Sequence, residues 1–170
     1  MELQSILNGL TANAAAIPAL LQEVTTEQAR WRPVPEAWSL LEVVCHLYDE
    51  EREDFRRCVN YMLNHPDEPF PPIDPAGWVT SRNYNERDWQ GSLESWTQER
   101  QTSLLWLESL QDADWTIARP APWGGEMRAG DFLAAWPAHD YLHIRQINEL
   151  RYAWHKEHVQ PFDVAYAGDW

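Results

Sequence analysis

Hydrophobic and polar positions repeat with a helical period along most of this chain. Over residues 2–24, Leu3, Ile6, Leu7, Leu10, Ala14, Ile17, Leu21 and Val24 mark one face of an amphipathic helix, with Pro18 inside it. Residues 31–38, WRPVPEAW, hold two prolines and predict a loop. Ser39 and Glu42 then form a capping-box pattern that opens a second helix running to about Asn64. Its apolar stripe is Leu40, Val43, Val44, Leu47, Phe55, Cys58, Val59 and Met62. Five prolines between residues 65 and 84 predict a long loop. A third helix over about 86–110 carries Trp89, Leu93, Trp96, Leu104, Leu107 and Leu110 on one face. Residues 112–128, with Pro120, Pro122 and Gly124-Gly125, predict a second loop before a fourth helix over about 129–156. No alternating run is long enough to predict a sheet. The pattern predicts an all-α helix bundle formed as one domain over residues 1–156, followed by an aperiodic tail over 157–170.

Charge narrows the function. The 27 acidic residues outnumber 13 basic ones, giving a net charge of -14. Such a surface is repelled by phosphate backbones and by anionic membranes, so neither nucleic acid nor a membrane is the expected partner. No apolar run is long enough to span a bilayer, and the first residues do not resemble a signal peptide. Cys45 and Cys58 are expected on one helix, roughly 20 Å apart, too far for a disulfide. They predict free thiols in a reducing cytoplasm. The 11 tryptophans exceed what an ordinary core needs, and Trp31, Trp38, Trp78, Trp123 and Trp136 are candidates to wall a pocket. The same aromatic excess suggests apolar surface covered in a homodimer.

Histidines supply the candidate chemistry. On a helical wheel, His139 and His143 fall among Phe132, Trp136, Ile147 and Leu150 on the apolar face of the fourth helix. The i, i+4 spacing stacks both rings on adjacent turns, so that their nitrogens can meet at one metal ion. His46 lies on the flank of the second helix, where a ligand could reach sideways to a neighbour. Buried hydrogen-bonded core histidines are the plain alternative. His65, His155 and His158 read as solvated. Glu50, one turn after His46, could orient that imidazole or accept a proton. Arg100 lies in the third helix's apolar stripe and needs an anion, either Glu51 or Asp54 in an ion pair or a substrate carboxylate. Trp136 is the second candidate for contacting substrate. Pro137, two residues before His139, is expected to bend the fourth helix and aim its histidines.

Two segments carry a family resemblance. WRPVPEAWSLLEVVCHLYDEE at 31–51 and AAWPAHDYLHIRQINEL at 134–150 resemble the two signatures of the DinB-like superfamily, over residues 1 to about 155 in all. The resemblance implies an up-down-down-up four-helix bundle and a divalent metal on His46, His139 and His143. It also implies a thiol-dependent S-transferase using a low-molecular-weight thiol such as bacillithiol or mycothiol. A metal-dependent hydrolase and a non-catalytic metal- or small-molecule-binding stress protein are the alternatives. Imidazole ligands suit zinc or nickel first, with iron as a further candidate. Arg145 stands where the family's iron-dependent sulfoxide synthases carry a glutamate, which argues against that branch.

Overall fold

A computed structural model describes residues 2–65 and 68–168. Pro66 and Asp67 of the predicted loop, and the last two residues of the predicted tail, lie outside the described residues.

The predicted stripes become buried faces. Helix α1 (Leu3–Leu21) buries Leu3, Leu7, Leu10, Ile17 and Leu21. A short helix α2 (Thr26–Arg30) follows, capped by Thr25, whose hydroxyl accepts from Gln28 N. Ser39 opens α3 (Leu40–Asp49) with the predicted capping box: its hydroxyl accepts from Glu42 N, and the Glu42 carboxylate accepts from Ser39 N at 2.8 Å. The predicted second helix is not one regular α-helix. It changes to a π-helical segment over Glu50–Phe55 and resumes as α4 (Arg56–Asn64).

The predicted 65–84 loop is also partly helical. It contains α5 (Pro75–Ser81), capped by Asp74 with proline in its first turn, and a 3₁₀ turn at Tyr84–Glu86. Asp88 caps α6 (Trp89–Glu108), and α7 (Ala129–His158) contains Pro137 well inside its length. The expectation of no sheet fails locally. Residues 112–128 contain an antiparallel hairpin, β1 (Ala118–Pro120) with β2 (Glu126–Arg128), in which Arg119 faces Met127. The Arg119 guanidinium donates to Met62 O at 2.8 Å, placing a cation near the C-terminal carbonyls of α4.

Side-chain packing gives the directions of the four long helices. At one end, Leu3, Leu7 and Leu10 of α1 pack with Phe55, Leu104, Leu107 and Leu133. At the other, Ile17 and Leu21 pack with Leu40, Val44, Trp89, Trp96, Ile147 and Leu150. So α1 and α7 run together, while α3–α4 and α6 run together in the opposite sense. This is the implied up-down-down-up bundle. No described helix is long and apolar enough to cross a membrane.

Candidate metal centre

The bundle brings His46 from α3 against His139 and His143 from α7. His139 Nε2 lies 3.3 Å from His46 Nε2 and 3.1 Å from His143 Nε2. One nitrogen from each ring falls within 4.8 Å of the others. His46 is buried, and the other two are half-buried. Burial, reinforced by the other rings, lowers His46 to about 2. Burial and His143 lower His139 to about 3. Burial also lowers His143, against the pull of Gln146. All three are therefore neutral imidazoles at physiological pH, the form that donates a lone pair to a metal.

The surroundings fit a cation at the convergence point. Gln146 Oε1 lies 2.8 Å from His143 Nδ1. Assigned as a donor there, Nδ1 leaves Nε2 with its lone pair toward the other rings. His46 Nδ1 and Glu50 Oε1 are buried without hydrogen bonds, 3.8 Å apart. The second Glu50 oxygen is 4.0 Å from His139 Nε2. Three clustered imidazoles with such incomplete internal hydrogen bonding make a donor set able to hold a metal ion, with an acid beside it.

Glu50 is thus brought to the site, although no hydrogen bond to His46 is formed. It begins the π-helical segment, where bonding from i to i+5 widens the turn and two acids, Glu50 and Glu51, are buried. Burial and Asp54 push the Glu50 carboxyl up to about 9. Asp54 also accepts from the Cys58 thiol at 3.3 Å.

Arg100 and Trp136 have other work. Arg100 is fully buried, its Nε donating to Glu51 at 2.6 Å and its Nη atoms to Asp140 at 2.7 Å each. Of its two expected partners, Glu51 takes part and Asp54 does not. Asp140 completes the ion pair and also accepts from Asn13 at 3.0 Å. Trp136 is buried, stacks on Phe55, and donates its indole N–H to the same Glu51 at 3.0 Å. The geometry is that of a structural ion pair tying α1, the π segment, α6 and α7 together at the level of the histidines.

Of the five candidate tryptophans, Trp38 stands at the centre. Its ring is 5.0 Å from His46, and 6.5 Å from His143 with nearly parallel planes. Trp31 packs on Trp154, Trp123 on Phe70 at an exposed hairpin, and Trp78 beneath Arg82. His65 bonds to Glu68, and exposed His158 stacks on Trp154. Both cysteines are free and buried, and burial raises both thiols.

Sequence reasoning missed Gln146, Asn13 and Asp140. Asn13 is a polar residue at an apolar stripe position between Leu10 and Ile17, and Asp140 continues the buried spacing of Leu133, Trp136 and Pro137. Gln146 follows His143 by one turn, where it can reach the ring.

No curated protein matches the chain. Among solved structures, YfiT from Bacillus subtilis matches with a TM-score of 0.77 at 19% identity, covering 90% of this chain and 87% of that one. That protein is described as "a probable metal-dependent hydrolase with an unusual four-helix bundle topology". The DinB superfamily model matches residues 10–147, a span that holds the first signature segment, all but the last three residues of the second, and all three clustered histidines. This chain therefore belongs to the DinB superfamily.

Proposed function

We propose that this protein is a metal-dependent enzyme that holds a divalent cation, zinc or nickel in first place, on His46, His139 and His143, and transfers a low-molecular-weight thiol to an electrophile. The observation that carries the metal reading is the meeting of three neutral imidazole nitrogens inside the bundle. A divalent ion there would supply Lewis acidity and lower the pKa of a water or thiol bound in its open positions.

The chain's own residues set the conditions for that chemistry. Gln146 fixes the His143 ring, while Phe55 and Trp38 pack against His139 and His46 and limit water. Glu50 is placed to hold or take up a proton at its carboxyl oxygens. Neither cysteine serves as nucleophile: Cys45 Sγ faces Tyr84 O and Ser92, and Cys58 faces Asp54. The nucleophile must therefore come from outside. Thiol transfer is favoured by the family resemblance. Hydrolysis is the second reading, supported by the description of YfiT and by the same tri-imidazole donor set.

Metal content tests the first part. Chelator-treated protein reloaded with zinc should bind one equivalent, and the His46→Ala/His139→Ala/His143→Ala variant should bind none. Stoichiometric metal in that variant would refute the assignment. Turnover of an electrophile that depends on added bacillithiol, mycothiol or glutathione supports transfer. Equal turnover without thiol assigns the reaction to hydrolysis.

A further inference from the structure

The site opens on a groove of about 660 Å³ between the 33–38 loop and α7. Along α7 its wall is a single stripe: His143, Gln146, Glu149 with Leu150, and Ala153. Ten residues of helix make that stripe roughly 15 Å long. Trp38 and Glu36 form part of the facing wall.

The charges on this wall are all of one kind. Glu36 and Glu149 line the groove, and no lysine or arginine does. Glu149 is paired with Arg145 at 3.4 Å, both side chains being well exposed. Glu36 has no ion-pair partner among the described residues. The apolar surface between them comes from Trp38, Leu150 and small side chains, and an indole face attracts cations. The chain's net charge of -14 acts in the same direction.

We infer that this groove binds a cationic amphiphile, a primary amine or ammonium on an apolar body, with the ammonium toward Glu36 and Glu149 and the opposite end toward His143. The inference rests on the metal reading for one point, the polarity of the groove. A cation on the histidines makes the His143 end positive, so that end takes an electron-pair donor and the far end takes the ammonium. A carboxylate at the far end would meet Glu36, which has no ion-pair partner among the described residues, and Glu149, whose partner Arg145 is itself well exposed.

Calorimetry with phenylbutylamine, phenylbutanol and phenylbutyrate tests this, because the three probes share one apolar body. At low ionic strength the amine should bind about tenfold more tightly than the carboxylate, as expected for two exposed carboxylates acting together. Glu36→Gln/Glu149→Gln should bring the two within about threefold of each other. Glu94→Gln/Glu108→Gln, on exposed positions of α6, removes the same charge away from the groove and should leave the preference intact. A carboxylate that binds as well as the amine overturns the proposal. So does an amine preference unchanged by the groove variant, or one lost equally in the α6 variant. Each titration is run on chelator-treated and zinc-loaded protein. An amine preference in both, with no zinc uptake, would leave the groove standing and count against the metal reading alone.

Discussion

At the residue scale, the centre depends on side chains that do not themselves meet at the metal position. Gln146 holds the His143 ring through Nδ1. Gln146→Leu removes that acceptor and should weaken zinc binding about 10- to 100-fold while the fold persists. Competition with a chromogenic chelator measures the change, and an unaltered affinity would show that the glutamine does not orient the ring. Arg100 shows the opposite dependence. Arg100→Met leaves Glu51 and Asp140 buried without their cation, a loss of about 3–5 kcal/mol. Urea unfolding should show it, and a change below about 1 kcal/mol would mean the pair contributes little beyond a surface ion pair. His139 and His143 were legible in the sequence because their spacing and a helical wheel align them on one face, whereas His46 joined them through the family resemblance. Gln146 and Asp140 were not singled out, because a polar side chain in an amphipathic helix looks solvated until its neighbour is known.

Among elements, the four long helices were legible because each has an apolar stripe several turns long. The shorter elements were not. The segment Glu-Glu-Arg-Glu-Asp-Phe has a single apolar residue, so no period marks the change to π-helical bonding. The hairpin strands have three residues each and turn through Gly124 and Gly125, both at positive φ, where glycine is needed. Pro137 tests how helix shape serves the site. It is buried eight residues into α7, well beyond the first turn in which a helix tolerates proline. Pro137→Ala restores an N–H for the Leu133 carbonyl and keeps the β-carbon that lies near Gly9. It should raise stability by up to about 3 kcal/mol and weaken metal affinity. Thermal unfolding together with metal titration checks both, and a variant equal to wild type in both would remove the role.

For the whole molecule, the buried titrating groups predict how stability of the metal-free protein varies with pH. The unfolded chain protonates His46, His139 and His143 near 6.5, but the folded chain holds all three lower. Below 6.5 the unfolded state binds more protons, so each histidine costs up to about 1.4 kcal/mol per pH unit on acidification. Glu50 works the other way. Its carboxyl titrates from 4.5 in the unfolded chain to about 9 when folded, so stability is lost as pH rises across that interval. Asp54, also raised by burial, acts in the same direction as Glu50, so three histidines oppose two carboxyls on the acid side, and the carboxyls act without them on the basic side. Stability should therefore peak near neutrality and fall in both directions. Urea midpoints of chelator-treated protein from pH 5 to 9 measure this, and a monotonic rise toward acid would contradict it.

The π-helical segment also bears on how related chains are aligned. Because its bonds skip from i to i+5, Glu50–Phe55 takes up one residue more than an unbroken α-helix would use between His46 and Cys58. A relative that lacks this extra residue would keep the same inward faces before and after the segment, yet show a one-residue gap in the middle of a helix. A rule that confines gaps to loops would move that gap elsewhere and shift the histidine of one chain off the histidine of the other. Correct pairing would put the gap within 50–55, and a relative carrying it would aim the acid beside the histidines differently.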